Sequence, residues 1–335
     1  MTAVGTALAT TVGRGDASLV DFVRYHLAVG FDRVFVFLDD PDDAAAAAIP
    51  DDDRVTLVPH DDDLRACWAD WPALRRMAGH DLATRRILNT DVALQLCRND
   101  DLAWLVAVDP DELVDTGGAA IGDLLAGAGA ATGQLVLAAL LAIPETEHAA
   151  GGFAGATLFR LPRPAGATPP RHAAQIAAAG HTAATWYGPT VEHRAAVRIA
   201  PGVLPLVDRT FSLGNAERHT IAAAAAAAAA APRVLAYREA SLAAFVRRHT
   251  GWQPAVPAPL GHVPLRQPWI DAVLAPRIAV GRGPDAAARY FRDRIAVGDP
   301  AIRAALIADG LCERIDIARR ILGDAPDPAA TPEDA

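Results

Sequence analysis

The stretch Trp104-Leu105-Val106-Ala107-Val108-Asp109-Pro110-Asp111-Glu112-Leu113 decides the fold. It begins inside the apolar run Leu102–Val108, which is short enough to be a buried strand. Its second half places three acids within four residues at the point where that strand ends. A core strand that delivers carboxylates to a sheet edge is the pattern of an α/β protein, in which ligands bind beyond the carboxyl ends of strands.

Working outward, strand and helix signals alternate through the first 115 residues. Val4–Val12 reads as a buried strand ending at Gly13-Arg14-Gly15. Ser18–Val29 has helical apolar spacing with Gly30 as its stop. Arg33–Leu38 is a second strand running into Asp39-Asp40-Pro41-Asp42-Asp43, and Arg54–Pro59 is a third. His80–Arg98 predicts a long helix with Ile87, Leu88, Val92, Leu94 and Leu96 inward. This alternation implies a mainly parallel sheet with crossover helices. Three polar clusters, 13–16, 39–43 and 109–112, then fall at strand ends.

Further along, Gln134–Ile143 reads as a strand and residues 144–215 as Pro- and Gly-rich with short strands. Ala216–Ala231 reads as a helix stopped by Pro232. Arg233–Tyr237 reads as a late strand, Ser241–His249 as a helix capped by Ser241, and 284–322 as three short helical patterns. The alanine run carries no chemistry, and there is no fixed-period repeat.

Bulk properties bound the function. The chain has 335 residues, 52% of them apolar, with net charge −9 and pI about 5.5. That balance disfavours nucleic acid as a partner. All 31 basic residues are arginine. Cys67, Cys97 and Cys312 lack metal or disulfide spacing, which points to a reduced compartment. We expect a soluble, cytoplasmic protein without a signal peptide or transmembrane segment, leaving peripheral membrane association open.

The acidic turn admits two readings. Asp109, Asp111 and Glu112 repel one another, a repulsion that Mg²⁺ or Mn²⁺ would offset through hard oxygen ligands. Alternatively, they form a solvated turn or helix start favoured by the dipole. Arg14 and Asp16 are candidates for nucleotide contacts, against a tight turn and cap. Asp39 and Asp40 end a strand where an acid could hold base or ribose, against a solvated loop. His26 reads as a packed, hydrogen-bonded residue, and Trp68, Trp71 and His80 as core or loop anchors. Arg85, Arg86 and Asn89 share a helix side and serve either phosphate binding or, the reading we favour, solvation. Glu145, Glu147, His148, His181, Glu192, His193, Asp208, His219 and His249 are acid/base or metal candidates; Glu145 and Asp208 are the two put forward as catalytic. GxSxG, P-loop, HExxH and GxGxxG motifs are absent.

The acidic segment resembles the W-x-x-x-x-D-x-D-E-[FL] stretch of family 2 glycosyltransferases related to the family 92 (DUF23) group. Asp21-Phe22-Val23-Arg24-Tyr25-His26-Leu27-Ala28-Val29-Gly30-Phe31-Asp32-Arg33-Val34 resembles that group's E-W-[IV]-x-Y-H-x-x-L-G-F-D-x-[IV] signature. Residues 193–198 and 237–251 resemble its later motifs. The chain departs from the pattern at Arg14-Gly15-Asp16 for K-N-E, at Phe22 for Trp, and at Ala236, where the group has a histidine.

The resemblance implies a GT-A-like (Rossmann-like nucleotide-diphospho-sugar transferase) α/β fold: a mixed, mainly parallel sheet flanked by helices. It implies a transferase domain over 1–252, followed by a helical extension (253–323) and a frayed tail (324–335). It implies a metal-dependent glycosyltransferase in which Asp109 and Asp111 hold Mn²⁺ or Mg²⁺. Glu112 would support them as a neighbouring or salt-bridging acid, and Arg14, Asp16 and Asp39 would contact the nucleotide-sugar donor. The acceptor would be a glycan or protein. The rivals are a non-catalytic binding or scaffold protein of the same fold and another Mg²⁺-dependent nucleotide enzyme.

Overall fold

A computed structural model of the chain describes residues 4–13, 18–147, 152–162, 171–172, 174, 193–206, 210–214, 220–223, 232–250 and 274–323. Its strands are β1 (Thr6–Val12), β2 (Arg33–Leu38), β3 (Val55–Pro59), β4 (Trp104–Ala107), β5 (Glu112–Asp115), β6 (Thr132–Ile143) and β7 (Leu158–Arg160). They continue with β8 (His193–Arg198), β9 (Leu204–Pro205), β10 (Phe211–Ser212), β11 (Thr220–Ala223), β12 (Arg233–Ala236) and β13 (Cys312–Arg314). The helices are α1 (Leu19–Val29), α2 (Ala44–Ala47), α3 (Asp62–Cys67), α4 (Pro72–Ala78), α5 (Leu82–Asn99) and α6 (Ile121–Ala126). After them come α7 (Leu242–His249), α8 (Ala275–Gly281), α9 (Pro284–Arg294), α10 (Pro300–Ala308) and α11 (Ile317–Leu322). The chain forms two compact units, Met1–Ala139 with Glu192–Leu235, and Leu140–Val191 with Ala236–Ala335.

The first unit is a mixed α/β layer with strand order β6-β8-β4-β1-β2-β3. β1 pairs in parallel with both β2 and β4, and β2 with β3. β8 runs antiparallel to β4 and β6, so the parallel set continues through β6 with β8 reversed between them. The chain builds outward from β1 to β2 and β3, then returns to lay β4 on the opposite side of β1. That reversal creates a switch point between the carboxyl ends of β1 and β4, where open α/β sheets hold ligands.

β1 is buried along its whole length, as expected of a strand with covered faces. Gly30 closes α1 in the left-handed region at φ 99°, a conformation that suits glycine, and its N–H bonds the last carbonyls of the helix. The N–H and Oγ1 of Thr6 donate to the Asp32 carboxylate at 2.8 and 3.0 Å, tying the start of β1 to the turn before β2. α5 begins at Asp81, whose carboxylate accepts the Ala83 and Thr84 N–H groups. It buries Thr84, Leu88, Asn89, Asp91, Val92, Ala93, Leu94 and Cys97, more of its circumference than one apolar stripe. The wider burial follows from packing against α4 as well as the sheet, with Trp71 Nε1 donating to Asp91 at 3.1 Å. Trp68 is buried in this core, Trp71 is half-buried and His80 is exposed.

One expectation is corrected. Residues 220–223, inside the segment read as a helix, form β11 and pair in parallel with β6. Alanine favours helix, but cross-strand hydrogen bonding overrides a weak local preference. The rest of that segment, 216–219 and 224–231, lies outside the described residues.

In the second unit, β7 pairs antiparallel with Leu141–Ile143 of β6 and with β13. Ile143, Leu158, Val297, Ile302, Leu306, Leu311 and Cys312 form one core. Phe245, Ala287, Phe291 and Ala296 join α7 to α9 in another. Ser241 Oγ accepts the Ala244 N–H at 3.2 Å and caps α7 as expected. Among the described residues, no helix is long and apolar enough to cross a membrane.

Candidate functional site

β4 ends at Ala107, and the chain turns through Val108-Asp109-Pro110-Asp111 before β5 begins at Glu112. The Val108 N–H still donates to Ala9 O at 3.1 Å, so the turn leaves the sheet beside β1. The Glu112 N–H donates to Asp109 O at 3.0 Å, closing the turn. A carboxylate oxygen from each of Asp109, Asp111 and Glu112 lies within 4.8 Å of the others.

The three acids are held differently. Glu112 is fully buried. It receives Arg194 in a two-pronged pair, Nε to Oε2 at 2.7 Å and Nη2 to Oε1, and Oε2 also accepts the Asp109 N–H at 3.0 Å. Both Glu112 oxygens are therefore engaged by protein donors, and Arg194 balances its charge. Asp109 is 5% exposed, with Oδ1 lying 3.2 Å from Arg86 Nε. Asp111 is half-buried.

β5 is fixed from α1. Tyr25 Oη donates to Val114 O at 3.2 Å, while His26 Nε2 accepts the Val114 N–H at 3.2 Å. His26 Nδ1 lies 2.8 Å from Phe22 O, so this nitrogen carries the hydrogen. Complete burial pushes the imidazole pKa down to about 3, against a smaller upward pull from Phe22 O, and keeps the ring neutral. His26 is thus the packed, bonded residue that the sequence suggested. Trp104 faces Arg198 across β4 and β8, with the guanidinium carbon 4.5 Å from the ring centroid.

Asp39 leaves β2 beside β1, its N–H donating to Val12 O at 3.0 Å. Arg85 grips its carboxylate with Nε to Oδ1 at 2.9 Å and Nη2 to Oδ2 at 2.7 Å. Consecutive arginines at the start of α5 therefore serve acids at two strand ends, Arg85 on Asp39 and Arg86 on Asp109. The sequence reading of these arginines as a solvated face missed both pairs. A pocket at the switch point is lined by Thr10, Thr11, Phe37, Arg86, Thr90 and Asp109, among others.

Among the remaining candidates, Glu145 lies in the second unit against Arg314, at 2.7 Å, and Arg303, at 3.0 Å. The hydrogen bond from Arg314 is the main cause of its lowered pKa. Glu147 pairs with Arg292 at 3.3 Å and His249 with Glu239 at 2.9 Å. His193 opens β8. Arg14, Asp16, His148, His181, Glu192, Asp208 and His219 lie outside the described residues.

Hard carboxylate oxygens converging at a strand end suit Mg²⁺ or Mn²⁺. Asp109, Asp111 and Glu112 each offer a carboxylate oxygen to such an ion, and Glu112 also holds Arg194 and the Asp109 N–H.

No protein-family model and no curated protein matches the chain. Among solved structures, one similar chain is described as a mannose-1-phosphate geranyltransferase from Thermus thermophilus, with 14% identity, 96% of this chain and 81% of that chain covered, and a TM-score of 0.27. A likeness at that level carries no argument about chemistry.

Proposed function

We propose that the protein is a glycosyltransferase that moves a sugar from a nucleotide-diphosphate donor to an acceptor hydroxyl, with a divalent metal and a GT-A-type fold. The observation that carries this reading is the acidic turn Asp109–Glu112 at the β1/β4 switch point, beside a pocket lined by threonines and Arg86.

In this reading Asp109 and Asp111 hold Mn²⁺ or Mg²⁺. The ion supplies charge stabilisation at the departing diphosphate. Glu112, neutralised by Arg194, fixes the turn that aims the two aspartates. Asp39, oriented by Arg85, accepts a hydrogen bond from the nucleoside, and Arg14 and Asp16 extend that contact after β1. Transfer also needs a group to take the acceptor's proton. Glu145 and Asp208 are the candidates, and the hydrogen bond from Arg314 makes Glu145 a weaker base than an ordinary carboxylate.

The test is to incubate the protein with UDP-, GDP- and CDP-sugars and Mn²⁺ and to measure release of nucleoside diphosphate, with water taking the sugar in place of the acceptor hydroxyl. Release with one nucleotide class, abolished by EDTA and by Asp111→Asn, supports the reading. No release with any donor, together with no nucleotide binding, favours a binding or scaffold protein of the same fold.

A further inference from the structure

The two adjacent arginines at the start of α5 are engaged very differently. Each Arg85 guanidinium nitrogen is bonded: Nε and Nη2 donate to the two Asp39 oxygens at 2.9 and 2.7 Å, and Nη1 donates to Ala78 O at 2.6 Å. Arg86 lies against Asp109 at 3.2 Å, but its buried Nε makes no aligned hydrogen bond, and its side chain remains 29% exposed. It contributes to the wall of the pocket shared by Thr10, Thr11, Thr90 and Asp109. Thr10 is only 3% exposed, and its Oγ1 has no hydrogen-bond partner among the described residues. A buried hydroxyl without a partner on a pocket wall marks a place where a polar ligand atom would complete the bonding. Arg85 is thus tied to Asp39 and Ala78, whereas Arg86 keeps an Nε without an aligned hydrogen bond beside the pocket.

We infer that Arg86, the counter-charge to Asp109, is a phosphate-binding residue of this pocket and turns from the carboxylate to a nucleotide's diphosphate when a divalent cation binds. The inference rests on the reading of Asp109 and Asp111 as metal ligands. With a divalent cation held by those carboxylates, Asp109 would no longer need Arg86 as its counter-charge, and the guanidinium would be displaced from it. The diphosphate of a bound nucleotide then brings negative charge to the same pocket, where a planar guanidinium can donate two hydrogen bonds at once. Arg86 would thus exchange a carboxylate for a phosphate, with no covalent change, while Arg85 keeps α5 anchored to Asp39.

This account gives the two ligands opposite responses to one substitution. Mn²⁺ alone, and then UDP, GDP and CDP at saturating Mn²⁺, are titrated calorimetrically into the full-length protein and into Arg86→Gln. The variant is expected to bind Mn²⁺ several-fold more tightly, because Asp109 has lost a competing cation. It is expected to bind the recognised nucleoside diphosphate at least several-fold more weakly. Arg86→Lys, which keeps the charge but not the fork, should fall between wild type and Arg86→Gln for the nucleotide and stay near wild type for Mn²⁺. Affinities that move in the same direction, or do not move, overturn the role of Arg86 while leaving the metal site standing. A wild-type protein that binds neither Mn²⁺ nor any of the nucleotides overturns the site reading and this inference together. If Arg86→Gln does not fold, Arg86→Lys alone decides: unchanged nucleotide affinity contradicts a forked phosphate contact.

Discussion

His26 holds Val114 from a position fully inside the protein: its Nε2 accepts the Val114 N–H at 3.2 Å while its other ring nitrogen is turned to Phe22 O at 2.8 Å. The acidic turn is therefore anchored downstream by a histidine that works only while neutral. Its pKa falls from 6.5 to about 3 on folding, so the unfolded chain takes up a proton that the folded protein refuses across that interval. Stability from this residue is complete above pH 6.5 and is lost progressively as pH falls toward 3, at up to about 1.4 kcal/mol per pH unit. Urea unfolding between pH 6.5 and 4.5, above the main carboxylate range, should show this slope in the wild type and a shallower one in His26→Gln. Equal slopes would mean that His26 does not titrate on unfolding as described.

The Glu112–Arg194 pair gives a second prediction. Arg194→Met leaves a buried carboxylate without its counter-charge and should cost about 3–5 kcal/mol in denaturant unfolding. Replacing both residues by methionine removes the charge together with its partner. The double variant should recover most of the loss, short of about 1 kcal/mol for the hydrogen bond that Glu112 accepts from Asp109. A double variant no more stable than Arg194→Met would show that the pair is not the electrostatic unit described.

Asp81 is a third point of leverage, because its carboxylate accepts the Ala83 and Thr84 N–H groups and so sets where α5 starts. Asp81→Ala should destabilise by about 1 kcal/mol, and Asp81→Ser should retain most of the wild-type stability. Because Arg85 and Arg86 follow within the first turns, Asp81→Ala should also weaken nucleotide binding more than its stability loss explains. Unchanged affinity would separate the cap from the site.

The parts of the fold that a local pattern determines were legible in the sequence. β1, β2, β3 and α1 follow from apolar runs and punctuation, down to Gly30 as the stop of α1. Ser241 was readable as a cap because the cap is a local device. The acidic turn was readable because a buried strand leading into three acids is an unusual juxtaposition. Partners set by the fold were not legible. Arg194 and Glu112 are 82 residues apart and meet only because β8 runs beside β4. Arg85 and Arg86 look like any charged helix face until α5 is laid across the ends of β2 and β4. β11 was hidden by alanine, whose preference for helix yields to pairing with β6.

In the proposed function, Asp109 and Asp111 form a metal-dependent nucleotide-diphosphate site. The most direct measurement is the thermal shift of the protein with UDP, GDP and CDP, each with and without Mn²⁺, repeated on Asp111→Ala. A nucleotide present at 100 times its dissociation constant adds about 2.7 kcal/mol of stability. The account predicts a rise in Tm with one nucleotide, only when Mn²⁺ is present, that disappears in Asp111→Ala. A shift that persists without metal or survives in the variant, or no shift with any of the three, would contradict it.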